Sequence, residues 1–143
     1  MKKEKLFLCA KCEVGTVRVL AKPGRTMRYK NFPALAIPAR LEIPTCDNCG
    51  EMWFDSKTSR TVSREMEQVF RGELRRRVAR IIDLLSKVIT QGQLEALLGQ
   101  SQGYLSKLKS GERTPSPELM IELALIARDP KKRIQEIEEI LAS

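Results

Sequence analysis

The chain has 143 residues, enough for one domain or two small ones, and 42% of them are apolar whereas only 5% are aromatic. It contains no histidine, which excludes a histidine-ligated catalytic metal, a Ser-His triad and a Cys-His dyad. A formal net charge of +8 favours a polyanionic partner, and no apolar run has the length of a membrane span. We therefore expect a binding protein of the cytoplasm, not an enzyme.

Four cysteines occur as two Cys-x-x-Cys pairs, Cys9 with Cys12 and Cys46 with Cys49. Two intervening residues let a tight turn direct both sulfurs at one metal, and two such turns supply the four thiolates of a closed tetrahedral site. The spacing predicts one structural zinc ion per chain. Another thiophilic metal, two disulfides and a redox dithiol are the alternatives. The last two are disfavoured because no secretory segment is seen and because a redox pair usually occurs once, at the start of a helix.

Residues 1–55 are predicted to form a small β and loop domain around this metal. Alternating apolar residues predict strands at 15–20, 28–33 and 39–43. Prolines 33, 38 and 44 restrict these strands to edges or short pieces. With so little apolar material, the domain is expected to fold only with its metal, and Trp53 and Phe54 are expected to pack over the site.

Helical periodicity begins near Ser56 and is interrupted at Gly72, after which apolar residues recur at helical spacing as far as Ile89. We expect a connecting helix with a hinge over residues 56–72 and a second domain over residues 73–143. One helix passing through Gly72 is the alternative, at a cost of about 1 kcal/mol relative to alanine. The arginines at 75, 76 and 77 are candidates for holding phosphates, although a solvated helix face would have the same composition.

Start and stop signals follow closely after Ile89. Thr90 with Gln93 forms a capping box that opens a helix ended by Gly99, and Ser101 is expected to cap the next helix, which runs to about Lys109. Ser-Pro at 116–117 and Asp-Pro at 129–130 open two further helices. Five helices, the second and third joined by a three-residue turn, predict a helix-turn-helix domain. The fold class is thus α+β, a small zinc-bound β and loop domain followed by an all-α five-helix domain.

The second helix of this pair is the candidate for reading DNA. In the first helix, Leu94 and Leu97 are expected to face inward, and Ala96 is small enough for a close helix crossing. The exposed face of the second helix would enter the major groove, where glutamine pairs with adenine and lysine with guanine. Its predicted DNA-binding residues are Gln102, Gly103, Ser106 and Lys107, with phosphate contacts from Gln91, Lys109 and Arg113. A merely solvated helix face is the plain alternative.

Two resemblances meet in this chain. The stretch from Thr90 to Pro117, with Leu98-Gly99 at its turn and Ser110-Gly111 at its exit, resembles the Xre/Cro family of phage repressors. The two cysteine pairs, the second continuing into Gly50-Glu51, are similar to the YgiT-type zinc finger. In this order, and in a chain this short, the two modules resemble the MqsA-type antitoxins of bacterial toxin–antitoxin operons.

That resemblance implies a homodimer joined through the helix-turn-helix domain and bound to a double-stranded operator in its own promoter. It also implies that the zinc domain binds a small toxin, typically an mRNA-cleaving ribonuclease. The family's base-contacting Asn and Arg correspond to Gly103 and Lys107, so a different operator is expected, with Gln102 taking over at the glycine. A stand-alone zinc-containing regulator without a toxin is the alternative, and a dithiol oxidoreductase is the third.

Overall fold

The computed structural model describes residues 6–143, in which five strands precede five helices and confirm the α+β class. The chain divides into two compact units, the first ending at Phe70 and the second running from Arg71 to Ser143. The finer division into residues 1–55, 56–72 and 73–143 stays a prediction. The elements are β1 (Phe7–Leu8), β2 (Thr16–Leu20), β3 (Thr26–Tyr29), β4 (Phe32–Ala36), β5 (Ile43–Cys46), α1 (Ser56–Leu85), α2 (Gln91–Leu97), α3 (Tyr104–Ser110), α4 (Pro117–Arg128) and α5 (Pro130–Ala142).

The strands form a three-stranded antiparallel sheet in the order β1-β2-β5 and a separate β3-β4 hairpin. Pro44 lies in the edge strand β5 and Pro33 in the two-stranded hairpin, as expected of prolines in strands. The predicted strand at 15–20 is β2. The predicted strand at 39–43 is wrong except at Ile43, because Pro38 opens a turn that the Leu41 N–H closes on the Pro38 carbonyl at 3.1 Å.

The β3-β4 hairpin packs on the first half of α1. The ring of Phe70 meets those of Tyr29 and Phe32 edge to face, with centroids 5.8 and 5.7 Å away. The Tyr29 hydroxyl also donates to Glu67 on the same helix at 2.8 Å. Beneath the hairpin, the buried Arg25 guanidinium donates to the Leu20 and Leu41 carbonyls, and burial lowers the pKa of Arg25. The first unit thus has an aromatic core that is separate from its cysteines.

Helix α1 is continuous over 30 residues, so the predicted break at Gly72 is wrong and the alternative of one helix is confirmed. Met66, Phe70, Leu74 and Val78 are all buried, which carries one stripe at intervals of four residues past Gly72 without a change of phase. Burial of this stripe outweighs the weak helix propensity of one glycine. Despite its length, α1 is too polar to cross a membrane, and the other helices within residues 6–143 do not meet the requirement either.

Helices α2 and α4 begin where local capping chemistry places them, whereas α3 and α5 have no side-chain bond from their own N-cap residues. The capping box of Thr90 and Gln93 is present at α2, and the Ser116 hydroxyl accepts the Leu119 N–H at α4. Asp129 occupies the N-cap position of α5, but in the described chain its side chain makes no capping bond. The core of this unit includes residues from four helices, namely Leu74, Val78, Ile82, Leu94, Leu105, Leu108, Leu119, Leu123 and Ile126.

The turn between α2 and α3 is longer than the three residues predicted, because α2 ends at Leu97 and α3 begins at Tyr104. Gly99 has the expected left-handed conformation, with φ of 67°. The prediction that Ser101 caps α3 is wrong: Gly103 occupies the N-cap position, with φ of 84°. This second left-handed glycine adds residues to the turn and delays the start of the helix.

Replacing Gly72 with alanine should stabilise the chain by about 0.5–1 kcal/mol, because Gly72 is exposed inside a helix and a Cβ there would meet no atom within 4 Å. Thermal unfolding followed by far-UV circular dichroism measures the effect. Gly111→Ala is the matched control and should destabilise, because Gly111 ends α3 with φ of 81°. A G72A chain less stable than wild type would argue against a regular helix at this position.

Candidate metal centre and nucleic-acid interface

The sulfur atoms of Cys9, Cys12, Cys46 and Cys49 lie within 4.8 Å of one another. The Cys9 and Cys49 sulfurs are 3.8 Å apart, and those of Cys12 and Cys46 are 3.6 Å apart. A tetrahedron with metal–sulfur bonds of about 2.3 Å has edges of about 3.8 Å, whereas a disulfide requires about 2.0 Å. The cluster therefore has the dimensions of a metal site, and the four cysteines are free thiols.

Both cysteine pairs are shaped by the same local turn. The Glu13 N–H donates to the Cys9 carbonyl at 2.9 Å, and the Gly50 N–H donates to the Cys46 carbonyl at 3.2 Å. Glu13 and Gly50, each directly after the second cysteine of its pair, are both left-handed, with φ of 56° and 75°. Glycine adopts this conformation at little cost, whereas a left-handed glutamate is uncommon.

Backbone N–H groups point at two of the sulfurs. Gly15 donates to Cys12 Sγ at 3.3 Å, while the amides of Asn48 and Cys49 donate to Cys46 Sγ at 3.4 and 3.5 Å. The Gly15 N–H is the main cause that lowers the pKa of Cys12 to about 6. Such donors stabilise thiolates and leave the sulfur lone pairs directed at the centre of the cluster.

The other thiols compete with one another for ionisation. The Cys12 N–H lowers the pKa of Cys9. At Cys49 the Glu51 N–H also lowers the pKa, but burial and the neighbouring thiols outweigh it and raise the pKa to about 11. Four adjacent sulfurs thus do not all ionise by themselves. A divalent cation supplies the positive charge that makes four thiolates stable together, so the donor set fits a metal ion.

Gly15 is a residue of the site that the cysteine spacing does not reveal. A Cβ at this position would collide with Cys46 Sγ, and it would lie 2.6 Å from Asn48 Cβ and 2.9 Å from Asp47 Oδ1. Its N–H is also the donor to Cys12. The first pair can therefore approach the second only because residue 15 lacks a side chain.

Trp53 packs against the buried group formed by Cys9, Val17 and Cys46, as predicted. Phe7 meets the Trp53 ring edge to face, with centroids 6.1 Å apart. Phe54 stays exposed, so its predicted place over the site is wrong. Strand β2 joins the two cysteine pairs, because Val17 lies opposite Cys46 and Leu8, next to Cys9, lies opposite Thr16.

In the second unit, α3 buries Leu105 and Leu108 and exposes Ser106 and Lys107. The Ser106 hydroxyl donates to Gln91 Oε1 at 2.9 Å, which brings Gln91 beside α3. The predicted residues Gln102 and Gly103 precede α3 and lie in the turn, so the expectation that one helix carries all four is wrong. This end of the unit nevertheless presents a polar surface made of the turn and the helix.

Basic side chains border the exit from α3. Lys109 pairs with Asp83 at 2.7 Å. The guanidinium of Arg113 lies 5.9 Å from the centre of the Tyr104 ring, and the Arg113 N–H donates to the Lys107 carbonyl. Arg75 on α1 donates to the Thr114 hydroxyl at 2.6 Å, which adds a third cation beside this loop.

The neighbouring arginines are paired differently. Arg76 and Arg77 both bond to Glu73, at 2.5 and 2.6 Å, and the bond from Arg76 is the main cause that lowers the pKa of Glu73. Arg75, by contrast, contacts the loop after α3 through Thr114.

The inward face of α2 differs from the prediction at two residues. Leu94 is buried, as expected, and Leu97 is half-buried. Ala96 is exposed, so it does not line a helix crossing as predicted. Glu95 is buried in its place, with 4% of its surface exposed. Sequence reasoning missed this residue because a glutamate in a helix is normally solvated.

Residues 85–126 match the model of a helix-turn-helix family, and this range includes all of α2 and α3 and most of α4. No curated protein matches the chain. The matched range is less than half of the sequence and lies entirely after the cysteine cluster. It is similar to helix-turn-helix domains of the Xre type, which bind DNA and regulate transcription and are typically not enzymes.

Proposed function

We propose that the chain is the zinc-containing antitoxin of a bacterial type II toxin–antitoxin system, a cytoplasmic repressor that binds operator DNA as a dimer. The observation that carries the DNA-binding part is the helix α3, which buries one face and exposes Ser106 and Lys107 within the range that matches helix-turn-helix domains. The antitoxin part rests on the resemblance of the two modules in this order.

Zinc is the metal proposed for the four-cysteine site. Four sulfurs within 4.8 Å of one another, with backbone N–H groups directed at two of them, are a donor set that suits structural zinc. Bound there, zinc would hold the two cysteine pairs together. With four protein ligands it would have no open position for catalysis, so its role is structural.

The proposed DNA surface joins residues of α3 and of the turn that precedes it. Ser106 and Lys107 face base edges, while Gln102 and Gly103 approach from the turn. Gln91, Lys109, Arg113 and Arg75 border this surface and are suited to phosphate contacts. Lys109 would exchange its bond to Asp83 for a phosphate oxygen.

The dimer is proposed to form through α5. None of the 13 residues of this helix, all of them described, is buried, and Ile140 and Leu141 are largely exposed. Within the helix, basic residues at 131–133 precede glutamates at 136, 138 and 139. Two copies side by side in opposite directions would place unlike charges opposite each other, as an isologous interface requires.

The toxin is proposed to bind near β1. This edge strand and its surroundings expose a group of apolar side chains, of which Leu8 is 63% and Val14 73% exposed. Exposed apolar patches on a small domain are typical of protein interfaces, and β1 is an edge strand of the sheet formed by the described residues. A stand-alone regulator with no toxin is the alternative function, and it would share every DNA-binding feature.

Replacing Gly15 with alanine should lower zinc affinity at least tenfold, because the added Cβ would separate the two cysteine pairs. Competition with a chromophoric chelator measures the affinity. Gly92→Ala is the matched control, since a Cβ at Gly92 meets no atom within 4 Å, and it should retain one zinc per chain. Equal zinc affinities in the two variants would contradict this account of the site.

The duplex immediately upstream of the gene for this chain should bind the protein with two chains per site. In Arg75→Ala, the slope of log affinity against log salt should fall by about 1, because one phosphate contact is lost. Arg76→Ala is the control and should leave the slope unchanged, since Arg76 is paired with Glu73. Fluorescence anisotropy at a series of salt concentrations gives both slopes. Wild-type protein that binds this duplex no better than unrelated DNA would contradict the repressor function.

Co-expression with the adjacent reading frame should yield a complex that survives gel filtration. Leu8→Glu should abolish the complex by placing a charge in the apolar patch, whereas Leu125→Glu, on the exposed face of α4, should retain it. Native mass spectrometry measures the stoichiometry and the metal content together. Absence of any complex with the wild-type chain would leave the stand-alone regulator.

A further inference from the structure

We propose that Glu95 is the positioning residue of the recognition helix: its carboxylate holds the start of α3 against α2 and so determines how Ser106 and Lys107 are presented to DNA. This inference rests on the proposed DNA-binding function and adds a residue that contacts no base. It concerns a buried side chain on α2 whose hydrogen-bond partners are all in the turn and in α3.

The geometry around Glu95 is specific. Its Oε1 atom accepts the Gly103 N–H at 3.1 Å, and its Oε2 atom accepts the Leu105 N–H at 2.9 Å. Its main-chain carbonyl also accepts the Gln100 N–H at 2.8 Å. One residue of α2 therefore bonds to Gln100 and Gly103 in the turn and to Leu105 in α3.

Helix α3 needs this help because it lacks a cap of its own. The first N–H groups of a helix have no partner inside it and are usually bonded by the side chain at the N-cap. Thr90 does this for α2 and Ser116 for α4. The N-cap residue of α3 is Gly103, which has no side chain, so the acceptor that caps the helix is the carboxylate of Glu95 on α2. The capping bonds and the packing of α3 on α2 are thus the same interaction.

The chemistry requires a carboxylate. Both oxygens of Glu95 accept from N–H groups, and a glutamine of the same shape offers one acceptor and one NH₂ group. The NH₂ would face an N–H donor, so Glu95→Gln removes one of the two bonds without changing the volume of the side chain.

Sequence discrimination and sequence-independent affinity thus depend on different residues. Because Glu95 occupies the N–H groups of Gly103 and Leu105, base reading is left to side chains farther along α3 and in the turn. The phosphate contacts proposed for Arg75 and Arg113 lie on other segments. Loss of the Glu95 bonds should therefore reduce discrimination between sequences while leaving the salt dependence of binding intact.

The test compares Glu95→Gln with Glu122→Gln, which removes the same charge from an exposed position on α4. Amide hydrogen exchange measured by NMR without DNA should be at least tenfold faster at Leu105 in E95Q than in wild type. The ratio of affinities for the upstream duplex and for poly(dI-dC) should fall at least tenfold in E95Q, with the salt slope unchanged. E122Q should match wild type in exchange and in this ratio.

An E95Q chain with unchanged exchange at Leu105 and an unchanged ratio would overturn the proposal. So would a wild-type chain whose Gly103 and Leu105 amides exchange as fast as in an unstructured peptide, a result that needs no variant to fold. If E95Q does not fold, Glu95→Asp keeps the carboxylate on a shorter side chain and should give intermediate exchange. Wild-type protein that binds the upstream duplex no better than poly(dI-dC) would contradict the proposed function only. The exchange data test the role of Glu95 separately.

Discussion

The scarcity of aromatic side chains is the constraint on which the rest of this structure depends. Aromatic residues make up only 5% of the chain, so neither unit can rely on a large hydrophobic core. Each unit has polar groups that link chain segments where a larger domain would have apolar contacts. In the first unit these are the four sulfurs, and in the second it is the buried carboxylate of Glu95. The sulfurs link the two cysteine pairs, and the Glu95 carboxylate links α2 to the start of α3.

The sulfur cluster joins parts of the first unit that the sheet alone would hold weakly. Strand β1 has two residues, and β5 contains a proline, so their ladders contribute few hydrogen bonds. Additional polar links run beside the sulfurs: the Thr16 N–H donates to Asp47 Oδ1 at 2.9 Å, and Lys11 pairs with Glu51 at 2.5 Å. These exposed links are individually weak in water. A metal at the cluster would contribute its binding free energy directly to the folding of this unit.

What could be predicted from the sequence is what depends on neighbouring residues. The ligand set follows from the two-residue spacing, and the caps at Thr90 and Ser116 follow from contacts three residues along the chain. Gly72 was misjudged because its helix propensity is a local property, whereas the buried stripe from Met66 to Val78 depends on packing. Glu95 was missed for a related reason: its partners lie eight and ten residues away, across a turn whose length the sequence did not indicate.

The net charge overstates the basic surface available to DNA, because some cationic side chains are paired with carboxylates. Glu73 lies within hydrogen-bond distance of both Arg76 and Arg77, and Asp83 pairs with Lys109, so several cations already have anionic partners. Arg75 and Arg113 instead contact an uncharged hydroxyl and an aromatic ring, which leaves their positive charge uncompensated by these contacts. Phosphates would meet little competition at these two residues, whereas at Lys109 they must displace a carboxylate. If this surface binds DNA as proposed, these two cations beside α3 would contribute more to binding than the total charge of +8 suggests.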